Sequence, residues 1–132
     1  MADTLQFELV SPERKLLSVA ATQVQIPGMA GDFTAMPNHA PYLTTLRPGI
    51  VRVITAGGAT EFIVTGGFAE VSAESATILA ELAAPRDEAP RELVADLVAA
   101  SEKALAEAGE DTRQAADQRL RDARSLASRI GS

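Results

Sequence analysis

The only histidine in the chain, His39, stands between Pro37 and Pro41, and there is no cysteine. A lone imidazole with no second His or Cys completes no zinc-type site, and no oxygen-ligand pattern stands in for one, so no metal is expected. Ser-His-Asp chemistry would have to use His39, yet no nucleophile elbow accompanies it. The glycine pairs Gly57-Gly58 and Gly66-Gly67 lack the flanking residues that turn such loops into phosphate cradles. No catalytic residue is assigned, and intrinsic enzyme activity is not expected.

Contact chemistry remains. Asp32, beside Gly31, either caps the Gly31 turn or offers a carboxylate to a partner from a loop tip. His39 either packs and hydrogen-bonds locally or meets a partner. Arg113, Arg119, Arg121, Arg124 and Arg129 are all the basic residues after Lys103. They read as a solvated face or as a recognition stripe, because the arginine fork pairs with carboxylates in a way lysine does not.

The stretch Gly28 to Pro41, GMAGDFTAMPNHAP, positions Asp32 and His39. Gly28 and Gly31 supply freedom where the chain reverses, Pro37 and Pro41 hold their own φ, and Met36 and Ala40 are pushed toward extended geometry. The pattern predicts a shaped loop between strands. Before it, Leu5, Phe7 and Leu9 alternate with Gln6 and Glu8, and Leu16 to Val19 starts a second strand. Thr22, Val24 and Ile26 then alternate with Gln23 and Gln25 in a ladder that Pro27 should stop. After it, Ile50 to Thr55 and Thr60 to Thr65 flank Gly57-Gly58 and predict a hairpin with a primed turn. Phe68 to Ser72 and Ala76 to Leu82 follow. Short strands with turns about every eight to twelve residues predict an antiparallel β-sandwich or barrel. Its core should hold Leu5, Phe7, Val24, Ile26, Val53, Phe62, Val64 and Ile78.

Ala84 to Pro90 reads as a linker, dividing a β domain at 1–84 from a helical tail at 85–132. Val94, Leu97, Ser101, Ala104 and Ala108 step at helical spacing, as do Ala116, Leu120, Ala123, Ala127 and Ile130. Gly109 ends the first helix, and Asp111 should cap the second with Gln114 completing a capping box. Helices joined by so short a link fold into an antiparallel hairpin. Each alanine methyl in its seam contributes only about 0.8 kcal/mol, against roughly 1–2 kcal/mol per residue to order the backbone. The hairpin therefore needs another surface, and it should have a folded-back and an opened state. Charge favours closure: Asp87 to Asp111 carries 8 acids and 2 bases, and Thr112 to Ser132 carries 2 acids and 5 bases.

The net charge of −6 argues against nucleic acid, whose phosphates need clustered Lys and Arg, and 4% aromatics with no Trp removes stacking platforms. No apolar run approaches the roughly 18 residues of a membrane span, and MADTLQFE has no secretory pattern. The chain is expected to stay on the cytoplasmic side.

Taken together, VSPERKLLS (Val10 to Ser18), GMAGDFTAMPNHAP with the following YLTTLRPGIVRV, EFIVTGGFAEV and ATILAE resemble the epsilon subunit of bacterial F-type ATP synthases over nearly the whole chain. The resemblance implies a flattened ten-stranded β-sandwich followed by a helical hairpin. It implies a non-catalytic central-stalk subunit at the cytoplasmic face of the bacterial inner membrane, passing rotation of the c-ring through gamma to the alpha/beta head. Contact with the membrane is then only indirect, through the c-ring. By the same resemblance Gly31 and Asp32 match the ring-facing loop, and Ser11 and His39 lie toward gamma. In some relatives the second helix brakes ATP hydrolysis through basic residues meeting an acidic segment of beta, a role that would fall to Arg113, Arg119, Arg121 and Arg124.

Relatives that bind ATP in the folded hairpin carry a DxxRA pattern at the start of the first helix. This chain has Glu88, Ala89, Pro90, Arg91 and Glu92 there. Glu88 and Arg91 keep an acid and base at that spacing, but Pro90 removes a backbone donor and Glu92 repels phosphate, so no cofactor is expected. The alternative is a free-standing β-sandwich that binds a small molecule or peptide, with a dimerising helical tail.

Overall fold

The computed structural model describes residues 4–88 and 91–130. Ten strands come first: β1 (Leu5–Val10), β2 (Lys15–Ala21), β3 (Gln23–Gly28), β4 (Gly31–Ala35), β5 (Tyr42–Leu46), β6 (Gly49–Thr55), β7 (Gly58–Val64), β8 (Gly67–Val71), β9 (Ser75–Ala80) and β10 (Ala83–Pro85). A 3₁₀ turn at Arg86–Glu88 precedes the helices α1 (Arg91–Glu107) and α2 (Glu110–Arg129).

The strands pair in the order β10-β7-β6-β3-β5-β8-β9-β1-β2, with β4 on the side of β3. β3 meets β5 through one pair, Gly28 with Leu46. The ladder turns there into two five-stranded layers. Leu5, Phe7 and Leu9 from one layer and Val24, Val51, Val53, Phe62 and Val64 from the other share a single core. All eight core residues expected from the alternation are buried, each contributing about 1.5–3 kcal/mol if large and aliphatic or aromatic.

Several local expectations change. The sandwich is not wholly antiparallel, because β1 lies parallel to β9 with Phe7 beside Ala76 and Leu9 beside Ile78. That register aligns the buried positions of the first strand with those of the ninth. Pro27 does not stop β3: its pairing continues through Pro27 with Asp32 and Gly28 with Gly31. Proline is tolerated because the ladder uses its carbonyl, which accepts the Arg47 N–H at 2.9 Å, and not the N–H it lacks. The first half of the predicted loop is consequently β4, and only residues 36–41 remain irregular. The β6–β7 turn consists of Ala56 and Gly57, with Thr55 opposite Gly58. Positive φ falls on Gly58 alone of the pair, at +133°, so this is not the primed turn expected.

The linker is shorter than its composition suggests. β10 runs one residue past Ala84 and pairs with β7, and Arg86 donates to Glu61 at 3.0 Å. Pro90, and the reasoning attached to it, lies outside the described residues. α2 starts at Glu110 with Gly109 as its N-cap and no side-chain cap bond, so the capping box at Asp111 does not form. In the hairpin Val94, Leu97, Ser101, Leu120, Ala123 and Leu126 are buried, whereas Ala104 is exposed. The helices pack on the sheet through the first half of α1 and the second half of α2, where Val94, Leu97, Ala123 and Leu126 cluster with Ile63.

What they lean on is β7. Phe62, Ile63 and Val64 are all buried, a run without alternation because both faces of the strand are covered. Ile63 and its neighbour Ile50 face outward and pack with Val94, Leu97, Ala123 and Leu126. This is the additional surface that the alanine-rich seam requires.

Candidate partner-contact site

The tip that carries Asp32 is a two-residue turn, Met29 and Ala30, closed by the Gly28 and Gly31 pair. Gly31 adopts φ +140°, a region L side chains avoid. A Cβ at Gly28 would lie 2.8 Å from the Gly31 carbonyl oxygen and 3.0 Å from the Phe33 ring. Two glycines thus draw the tip in and leave the Asp32 side chain 73% exposed. Asp32 does not cap the turn; it pairs with Arg47 at 2.5 Å. Arg47 also donates through Nε to the Gly28 carbonyl at 2.9 Å and through Nη1 to Asp122 of α2 at 3.3 Å. Sequence reasoning passed over Arg47. Its only signal was an arginine immediately ahead of a Pro-Gly turn.

His39 sits half-buried in the segment between β4 and β5. Pro37 and Asn38 make its turn: Asn38 has φ +71°, and the His39 N–H donates to the Met36 carbonyl at 3.1 Å. Proline then asparagine at the central positions is what a type II turn requires. The Asn38 N–H ties the segment to the Ala73 carbonyl at 2.8 Å. The imidazole Nδ1 lies 2.6 Å from the Ala40 carbonyl oxygen, and its ring is tilted 6.2 Å from Phe33, which in turn meets Tyr42 edge-on at 5.2 Å. His39 therefore props an aromatic cluster beside the Asp32 strand, with part of its ring open to solvent.

Ser11 closes the β1–β2 turn, its backbone and hydroxyl both facing Arg14. It also lines a shallow apolar groove with Val10, Met29, Phe68 and Leu79. Met29, Phe68 and Leu79 are each more than half exposed, and Leu43 is 67% exposed. Phe68 lies opposite Leu79 on adjacent strands, while Ala69 and Ile78 point into the core. The outer face of β5, β8 and β9 thus carries Leu43, Phe68 and Leu79 among Thr45, Glu70 and Thr77, with Phe68 and Leu79 side by side as an exposed apolar patch. Sequence reasoning placed these residues on strands without noticing that they fall on the outward phase.

The basic stripe of α2 is divided. Arg119 donates to the Thr65 carbonyl at 3.2 Å and lies 3.6 Å from Glu81, and Arg124 pairs with Glu102 of α1 at 3.1 Å. Arg121 pairs with Asp117 on its own helix, Arg113 is exposed, and the Arg129 carbonyl accepts from Arg86 at 2.7 Å. Glu88 and Arg91 are both exposed, flanking the two undescribed residues. Among the described residues no three His, Asp or Glu side chains converge as metal ligands, and no helix is long and apolar enough to cross a membrane.

The family model described as ATP synthase, Delta/Epsilon chain, beta-sandwich domain matches residues 4–86, a span that takes in every strand. The chain is 50% identical over 130 residues to an ATP synthase epsilon chain of Rhodobacter capsulatus, covering 98% of each. It is 47% identical over 138 residues to that of Paracoccus denitrificans, covering 99% of this chain and 93% of the relative. Among solved structures, a chain of the Euglena gracilis mitochondrial ATP synthase superposes with TM-score 0.74 at 20% identity, covering 98% of this chain and 83% of the other. A chain of the Tetrahymena thermophila mitochondrial ATP synthase central stalk and c-ring gives TM-score 0.67 at 16% identity, covering 97% and 96%. These two establish likeness of fold, helices included. With the sandwich matched by the family model and relatives about half identical over nearly its whole length, the chain belongs to the ATP synthase epsilon-chain family.

Proposed function

We infer that the chain is a non-catalytic subunit of the central stalk of an F-type ATP synthase, passing rotation of a c-ring by way of gamma to the alpha/beta head. The observation that carries this is the match to epsilon chains across both sandwich and hairpin. It favours the stalk reading over the free-standing binding module. The apolar groove beside Ser11 supports a body gripped by another subunit, since an outward face bearing Phe68, Leu79 and Met29 is short of a cover. That groove is the gamma-facing side in this reading, with His39 stiffening the neighbouring segment. The exposed Asp32 at the glycine-narrowed tip is the ring-facing contact, where a carboxylate meets polar loops.

The subunit works without a cofactor, at the cytoplasmic face of a bacterial inner membrane, and reaches the bilayer only through the ring. Co-expression with a gamma subunit tests the reading: a stable one-to-one complex through gel filtration is expected, and separate elution would overturn it. The brake on hydrolysis requires the hairpin to open, because Arg119 and Arg124 are engaged by Thr65, Glu81 and Glu102 while it is closed.

A further inference from the structure

We propose that Arg47 is a shared counter-ion for which the β3–β4 tip and α2 compete, so that a basic or hydrogen-bond-donating partner surface on the tip tightens the docking of the helical hairpin. The partner half of this statement rests on the stalk reading; the competition belongs to the chain alone. Three acceptors surround one guanidinium: the Gly28 carbonyl on Nε at 2.9 Å, Asp32 on Nη2 at 2.5 Å and Asp122 on Nη1 at 3.3 Å. Two carboxylates therefore divide one positive charge. The Gly28 carbonyl holds the group in place whichever carboxylate is engaged, so Asp32 is not needed to aim it at α2. What Asp32 adds is a rival anion.

Burial decides which carboxylate depends more on the arginine. The Asp122 side chain is 11% exposed and that of Asp32 73%, so water screens Asp32 and leaves Asp122 reliant on Arg47. Gln118, one helical turn earlier, donates to Asp122 at 3.1 Å and keeps it oriented on α2. Arg52, Arg129 and Glu61 line the same cleft, and their charges are common to both states of Asp32. A partner group that draws Asp32 away leaves Arg47 undivided for Asp122. By reciprocity, a hairpin that opens returns Arg47 to Asp32 and makes the tip a weaker ligand for the partner. The two ends of the subunit are thereby linked without any change of shape in the sandwich.

The test is amide exchange at Leu120, Ala123 and Leu126 in the isolated full chain, for the wild type, D32N, D122N and the double variant. D32N should slow exchange in α2 about two- to fivefold, the range spanned by partly exposed ion pairs. D122N should speed it, and adding D32N to D122N should change nothing. Unchanged or faster exchange in D32N, or an equal effect in both backgrounds, overturns the competition. No partner is present, so a failure of the stalk reading, scored separately by gamma co-purification, leaves these rates untouched.

Discussion

Gly67 and Leu79 approach so closely that a Cβ on the glycine would stand 2.1 Å from the Leu79 carbonyl oxygen. Gly67 also holds φ +133°, so an alanine there meets both strain and a backbone clash that no rotamer relieves. Gly31 has similar φ, +140°, but open space around it. Gly67→Ala should cost more than about 3 kcal/mol, and Gly31→Ala about 1–2 kcal/mol, the cost of the positive φ alone. Urea denaturation of the two variants checks the order.

The apolar groove makes a prediction about binding rather than folding. Phe68 and Leu79 are 53% and 54% exposed, so a charge at either costs the isolated chain little. Phe68→Asp should leave the circular dichroism spectrum and melting point near wild type while weakening gamma binding by about 2 kcal/mol or more, as expected of a buried aromatic anchor. Equal gamma affinity in calorimetry would remove the groove from the interface.

Among the described residues the hairpin is closed by one cross-helix ion pair that can be reversed. Arg124 and Glu102 lie 3.1 Å apart with both side chains more than half exposed. Arg124→Glu should destabilise the closed hairpin by about 0.3–1 kcal/mol, the Glu102→Arg partner change should recover most of it, and both effects should shrink in high salt. Salt-dependent amide exchange across α1 and α2 reads all three.

Truncation should depend sharply on where the cut falls. A chain ending at Glu88 keeps β10 whole and retains the Arg86–Glu61 bond, whereas one ending at Ala84 loses Pro85 from the ladder and Arg86 altogether. The shorter chain should melt lower, by about 4–8 °C for each kcal/mol lost. In a reconstituted head, removing residues after Glu88 should raise ATP hydrolysis several-fold if the tail brakes it; an unchanged rate removes the brake and leaves the stalk role standing.

Elements with a strict period were legible in the sequence, and those that depend on a distant neighbour were not. Leu5, Phe7, Val24 and Ile26 announced their strands because alternation needs no partner to be visible. β4 was hidden because its alternation, Asp32 and Thr34 outward against Phe33 and Ala35 inward, spans only four residues inside a stretch whose glycines and prolines signal a loop. Leu126 escaped the helical stripe because its burial comes from Ile63 of the sheet, not from α1 alone. Of the contact residues, Asp32 is the exposed tip carboxylate expected, while Arg47 could not be found. Its importance comes from Asp122, 75 positions later in the chain, and no local pattern encodes such a meeting.

The doubly covered strand under the hairpin has a mechanical corollary. If the tail swings off, Ile50 and Ile63 become wet, at a cost of about 1.5–3 kcal/mol for each side chain fully uncovered, and nothing in the solitary polypeptide compensates. The shut posture is therefore the resting one whenever the molecule is alone. An upright tail would need surfaces supplied from outside the chain to clasp the helices that the sandwich has let go.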